Sequence, residues 1–138
     1  MKHHTKTLGD LGIFKAQLDL YQKGYVVCNP MTEHAPFDLI IFKNGICKTV
    51  QVKTRNVNSL GQVVINFYNS YSDSKGVHTS DVNKEYIDLY CIYVPQTDKC
   101  YYLNPKLYGK SISIRVNPLK NKQEKNINFI DDFLILPE

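Results

Sequence analysis

One dipeptide constrains this chain more than any other feature: Asn44-Gly45, set between FDLIIF (37–42) and ICKTVQVK (46–53). The flanking runs are apolar and β-branched, and Asn-Gly accepts the positive φ angles that a two-residue type I′ turn needs at both central positions. The pattern predicts a tight hairpin, and its register follows by arithmetic. Lys43 faces Ile46 and Phe42 faces Cys47, so opposed positions add to 89 and Asp38 faces Gln51, with Cβ atoms about 4.5–5.5 Å apart. Lys53 lies two residues beyond Gln51 and shares its face. An acid, an amide and an ammonium are therefore expected together at the mouth of the hairpin. Leu39, Ile41, Val50 and Val52 point the other way and form an apolar surface for a core. Taken alone, the trio also reads as a polar cluster in which Asp38 pairs with Lys53 at a strand end.

Upstream, LGDLGIFKAQLDLYQK (8–23) predicts a helix ending at Gly24. Leu8, Leu11, Phe14, Leu18 and Tyr21 recur at helical spacing, and Ile13, Ala16 and Leu20 form a second apolar strip. A helix apolar on both flanks is expected to pack on a sheet. Strands are expected at 24–28, 62–68 and 87–94, with KCYYL (99–103) and SISIR (111–115) following as a hairpin and an edge. Residues 80–86 and 129–133 are weak helix candidates. The expected class is α/β, an N-terminal helix on a central mixed sheet. At 138 residues the length suits a single domain over 1–138.

Several broad classes drop out. No apolar run approaches the roughly 18–20 residues of a membrane helix, and MKHHTKTLGD lacks the apolar segment of a secretory signal. A cytoplasmic, intracellular location is expected. Cys28, Cys47, Cys91 and Cys100 form no CxxC pair, so they are expected to be reduced and mostly buried. The net charge of +4 says little, but its distribution says more. No acidic residue stands between Asp38 and Asp73, where Lys43, Lys48, Lys53 and Arg55 lie. Residues 104–128 carry Lys106, Lys110, Arg115, Lys120, Lys122 and Lys125 against Glu124 alone. Such stretches read either as a solvated face or as a polyanion contact surface.

Pro36-Phe37-Asp38, followed after thirteen positions by Gln51-Val52-Lys53, resembles the PD-(D/E)-XK nuclease motif. The likeness runs through GDLGIFKAQLDLYQKGYVVCNPMTEHAPFDLIIFKNG, QVKTR, SDSKGVHT and IDLYCIYVPQTDKCYYL. These segments resemble the PD-(D/E)-XK homing endonucleases encoded in bacterial group I introns, which also carry Gln at the position of Gln51. The last 35 residues or so lie outside the likeness. The resemblance implies a restriction-endonuclease-like core and a site-specific homing endonuclease. That enzyme would be Mg²⁺-dependent (with Mn²⁺ as a substitute), would make double-strand breaks in a long DNA target, and would promote intron mobility. The alternatives are a Holliday-junction resolvase-like nuclease and a catalytically weak DNA-binding module.

A hard cation at a phosphodiester takes one or two carboxylates, waters and substrate oxygens. Asp38 is the first expected ligand and Gln51 offers an amide oxygen. Because Gln51 brings no charge, a second carboxylate is wanted, and Asp10 on the helix is the candidate, with Glu33 behind it. Asp10 also reads as an acid suited to a helix N-terminus. In relatives such as the archaeal junction resolvases the helix acid falls where Ile13 stands here. Lys53 is expected either to accept a proton or to stabilise the transition state. For DNA contact, Arg55, Asn56, Asn66, Tyr68, Asn69, Tyr71, Lys75 and His78 are the candidates, with Thr32 and His34 near the cut. Residues 104–138 are expected to be a basic C-terminal extension serving DNA contact or assembly. One site cuts one strand, so a homodimer or homotetramer is expected.

Overall fold

The computed structural model describes residues 5–81, 84–117 and 127–137. Its regular elements are α1 (Thr5–Gln22), β1 (Val26–Cys28), β2 (Leu39–Lys43), β3 (Ile46–Thr54), β4 (Gln62–Asn66), β5 (Tyr68–Asp73), β6 (Gly76–Asp81), β7 (Leu89–Val94), β8 (Lys99–Leu103) and β9 (Ser111–Arg115). Among the described residues, no helix is long and apolar enough to cross a membrane.

The predicted hairpin is present. Asn44 and Gly45 have φ of 54° and 78°, and β2 pairs with β3 from Lys43↔Ile46 to Leu39↔Val50. This register places Leu39, Ile41, Val50 and Val52 in the core. A side chain at position 45 meets no neighbour within 4 Å, so its cost is purely conformational. Gly45→Ala is expected to lower stability by about 1–2 kcal/mol, read by urea denaturation. A smaller loss would mean that the turn relaxes to another type.

Sheet order is β1-β2-β3-β7-β8, with β3 and β7 parallel and the other three pairings antiparallel. Helix α1 covers one face. Ala16 and Leu20 pack there on Leu39, Ile41, Val50, Val52, Leu89, Cys91 and Tyr93. The opposite face of β7 and β8 is covered by the β4–β9 ribbon: Val63, Ile65, Ile112 and Ile114 pack on Tyr90, Ile92, Val94, Tyr101 and Leu103. With both faces covered, every residue of β7 is buried, as expected of a central strand with a parallel neighbour.

The helix shows how packing chooses between two apolar strips. Ala16 and Leu20 are fully buried, whereas Phe14, Leu18 and Tyr21 are 64%, 53% and 73% exposed. The small residues Gly12 and Ala16 let the helix approach the sheet, and the bulkier strip is left outward. The C-terminus is a Schellman motif. Gly24, at φ 92°, donates to Tyr21 O at 3.0 Å and Tyr25 to Leu20 O at 3.1 Å.

Several expectations are corrected. The run 62–68 does not continue as one strand. Phe67 donates its N–H to Lys110 O at 2.8 Å and buries its ring, and the chain passes from the β4–β9 ribbon into a second one, β5–β6. SISIR forms no edge on the main sheet but pairs with β4, where Ile112 and Ile114 meet an apolar face. SDSKGVHTS supplies the turn and return strand of β5–β6, with Asp73↔Gly76 as the last pair. Asp73 Oδ1 accepts the Lys75 N–H at 2.8 Å and lies 3.0 Å from His78 Nε2. The weak helix candidates at 80–86 and 129–133 contain only short 3₁₀ turns, Lys84–Tyr86 and Ile130–Phe133. All four cysteines are free as expected, but only Cys91 and Cys100 are buried while Cys28 and Cys47 are exposed.

Candidate active site

The ladder between β2 and β3 ends at Leu39↔Val50, and beyond it Asp38 takes over the pairing with its own side chain. Its N–H donates to Val50 O at 2.9 Å, and its Oδ2 accepts the Val52 N–H at 2.8 Å. The carboxylate thus stands in for the backbone acceptor that β2 no longer supplies. One of its oxygens is held by the main chain, which fixes the direction of the other.

Along β3, Val50 and Val52 lie under α1. By the period of two, Gln51, Lys53 and Arg55 lie on the other face. All three are half-buried. Lys53 and Asp38 act on each other electrostatically, as do Lys53 and Arg55. Arg55 is tied down by its own backbone, which donates to Tyr93 O at 3.0 Å, and by Nη1, which donates to Thr54 O at 2.9 Å. Tyr90 pairs with Gln51 across the parallel β3–β7 ladder. It is fully buried, and Arg55 and Asp38 both influence it electrostatically. The structure therefore groups Asp38, Gln51, Lys53 and Arg55, and adds Tyr90, which the sequence reading missed. Within LYCIYV nothing marks one tyrosine from its apolar neighbours; only the β3–β7 register does.

The other candidates lie apart. Asp10 is exposed on α1, and α1 packs on the face of β3 opposite Gln51 and Lys53. Thr32, Glu33 and His34 are exposed between β1 and β2, with the His34 N–H on Thr32 Oγ1 at 3.2 Å. Asn56 accepts from Gln96 Nε2 at 3.0 Å, which ties the end of β3 to the β7–β8 turn. Asn66 lies in β4 opposite Ser111. Tyr68, Asn69 and Tyr71 lie in β5; the side chains of Asn69 and Tyr71 are outside those described. Lys75 is exposed at the ribbon turn, and His78 lies in β6 opposite Tyr71. Lys120, Lys122 and Lys125 lie outside the described residues.

Over residues 3–136 the chain matches the PD-(D/E)XK endonuclease family. It belongs to that family. Among solved structures it is similar to that of a bacterial homing endonuclease, I-Ssp6803I, with a TM-score of 0.77 at 20% identity, over 89% of this chain and 86% of that one. A search of curated proteins returned no match. Asp38 and the strand that carries Gln51-Val52-Lys53 sit on one hairpin.

The oxygen donors at Asp38 and Gln51 fit a hard divalent cation held with few protein ligands. Asp38 contributes a carboxylate and Gln51 an amide oxygen, both hard oxygens. Among the described residues, no three His, Cys, Asp or Glu side chains converge. Waters and substrate phosphate oxygens would complete the shell, as Mg²⁺ prefers.

Burial raises the Asp38 carboxyl above its usual range, against the Val52 N–H and the Lys53 ammonium. Burial, reinforced by Arg55, lowers Lys53, with Asp38 opposing. Both shifts favour the neutral forms. A raised carboxyl binds more protons folded than unfolded, so its stabilising contribution is present below the unfolded value and is lost as pH rises through the folded one. Asp38→Asn keeps an acceptor for Val52 and removes the charge. Its stability relative to wild type is expected to improve as pH climbs above 3.8 towards neutrality, read by calorimetric unfolding. A variant that loses stability relative to wild type as pH rises would contradict this.

Proposed function

We propose that this chain is a Mg²⁺-dependent, site-specific homing endonuclease that makes double-strand breaks in a long DNA target and so promotes intron mobility. The observation that carries the reading is the Asp38 carboxylate, pinned by Val52 N–H beside Lys53 at the open end of one hairpin. The family match and the likeness to a homing endonuclease support it.

In this reading Asp38 and Gln51 would hold the cation, with waters and substrate phosphate oxygens as its remaining ligands, and Asp10, on the far face of β3, stays outside its shell. The cation supplies charge neutralisation at the scissile phosphate and a more acidic water. Lys53 takes the proton of the attacking water or stabilises the charge that develops on phosphate. Arg55, next along the same face, binds a neighbouring phosphate oxygen and helps offset its charge. The β5–β6 ribbon has the form of element that enters a major groove. Asn56, Asn66, Tyr68, Asn69, Tyr71, Lys75 and His78, with the basic 104–138 stretch, provide the DNA-contacting groups. Two copies, as a homodimer or within a homotetramer, cut the two strands. The reading places the enzyme inside a bacterial cell, where its DNA is.

The test is cleavage of linear duplexes carrying insertion sites of group I introns, and of four-way junctions, with Mg²⁺ and with EDTA. Cutting of one linear site in both strands, abolished by EDTA, is the expected result. Cutting of junctions alone makes the chain a resolvase-like nuclease. Tight binding without cutting makes it a DNA-binding module.

A further inference from the structure

Among the described residues, two side-chain polar atoms are buried with no hydrogen-bond partner, Tyr90 Oη and Arg115 Nε. Native interiors rarely leave such groups unmet, and each asks for a reason. Arg115 sits in β9 and places its Nη2 on Leu60 O at 2.8 Å. Tyr90 instead lies in the row of the candidate site. Gln51 pairs with Tyr90 on one side, and on the other it adjoins Asp38, next after the Leu39↔Val50 pair. Neighbouring strands are about 4.8 Å apart, so Asp38 and Tyr90 flank Gln51 across roughly 10 Å of backbone. Arg55 and Asp38 both act electrostatically on the Tyr90 hydroxyl, so the phenol and the carboxylate belong to one patch around Gln51. The Phe67 ring, 5.0 Å from the Tyr90 ring between centroids, holds it from the ribbon side. The hydroxyl is thus buried, without a hydrogen-bond partner among the described residues, near a carboxylate of which Val52 engages one oxygen.

We propose that Tyr90 is a positioning residue for Asp38: once the site takes up its cation, the hydroxyl donates to the carboxylate oxygen that Val52 does not hold. The carboxylate is then fixed from two sides, by a main-chain amide and by a phenol. The inference rests on the nuclease reading above. It explains why a buried phenol is tolerated without a partner in the free protein, since the partner is supplied by loading the site.

Tyr90→Phe tests it, because the variant keeps the ring and its contact with Phe67. In the free protein no hydrogen bond is lost, so the unfolding temperature is expected to stay level or rise. Affinity for Mg²⁺ alone, read by titration calorimetry, is expected to fall about 10-fold, as does kcat for cleavage with KM for DNA unchanged. A variant that binds Mg²⁺ and cuts as wild type does overturns the inference and leaves the nuclease reading standing. One that unfolds at a lower temperature, or fails to fold, while any folded fraction keeps wild-type Mg²⁺ affinity shows a structural phenol and also overturns it. Wild-type protein that neither binds Mg²⁺ nor cuts DNA overturns the nuclease reading, and this inference with it.

Discussion

Lys53→Ala is expected to slow DNA cleavage by about 10³-fold, within the range for losing a proton-transfer group or a preorganised charge at a reacting centre. The fold should survive. Lys53 is half-buried, and both burial and Arg55 already work against its charge, so its removal relieves as much as it costs. Duplex binding should weaken far less than cleavage, because one phosphate contact among many is lost. Lys53→Arg separates the two roles open to the residue. An arginine keeps the positive charge but does not give up its proton. Substantial activity in Lys53→Arg assigns charge stabilisation, and loss as deep as in Lys53→Ala assigns proton transfer. Single-turnover cleavage rates, with circular dichroism to confirm folding, are the measurement. A Lys53→Ala variant that cuts as fast as wild type would mean that the site lies elsewhere.

Gly12→Ala is expected to destabilise the protein by about 2 kcal/mol, the middle of the range for overpacking a filled interface. Elsewhere in a helix the same change helps, by about 1 kcal/mol. At position 12 a Cβ would stand 2.2 Å from Thr54 Oγ1. That oxygen is not free to swing away, since it donates to Leu8 O at 3.1 Å and belongs to a β-branched residue in the sheet. Either the helix lifts or the end of β3 moves, and Lys53 moves with it. Cleavage should therefore fall as well, even where the variant is fully folded. Adding Thr54→Ala should recover most of the loss, because the next atoms, Thr54 Cβ and Tyr93 Cβ, are 3.5 Å and 3.8 Å away in ordinary contact. A double-mutant cycle by urea denaturation measures the coupling. Additive effects would show that the two residues do not share the strain.

The readable parts of this chain were those whose information is local. Asn44-Gly45 specifies its own turn through the sign of φ, and the two-residue period carries the register to Val50 without reference to any other element. The C-terminus of α1 is equally local, written in Gly24 and the residues around it. Other features depend on partners far away in the chain. The helix displays two apolar strips, and only the closeness of Gly12 to Thr54 decides that Ala16 and Leu20 go inward while Phe14 and Tyr21 stay in solvent. The β5–β6 ribbon has almost no apolar alternation to announce it. SISIR has an alternation but no clue to its partner, which lies some fifty residues upstream in β4.

The candidate site divides along the same line. That Asp38, Gln51 and Lys53 share one end of one hairpin was determined by sequence alone, because a two-residue turn leaves a short antiparallel pair no other register that keeps Leu39, Ile41, Val50 and Val52 together. That Arg55 and Tyr90 join them was decided by tertiary structure. The parallel β3–β7 ladder unites segments separated by a long crossover, and the β4–β9 ribbon turns that face of β7 and β8 into an enclosed one. Turn sterics act between adjacent residues and leave a mark in composition; pairing of distant strands is chosen by the summed burial of the whole core, which no short stretch of sequence records.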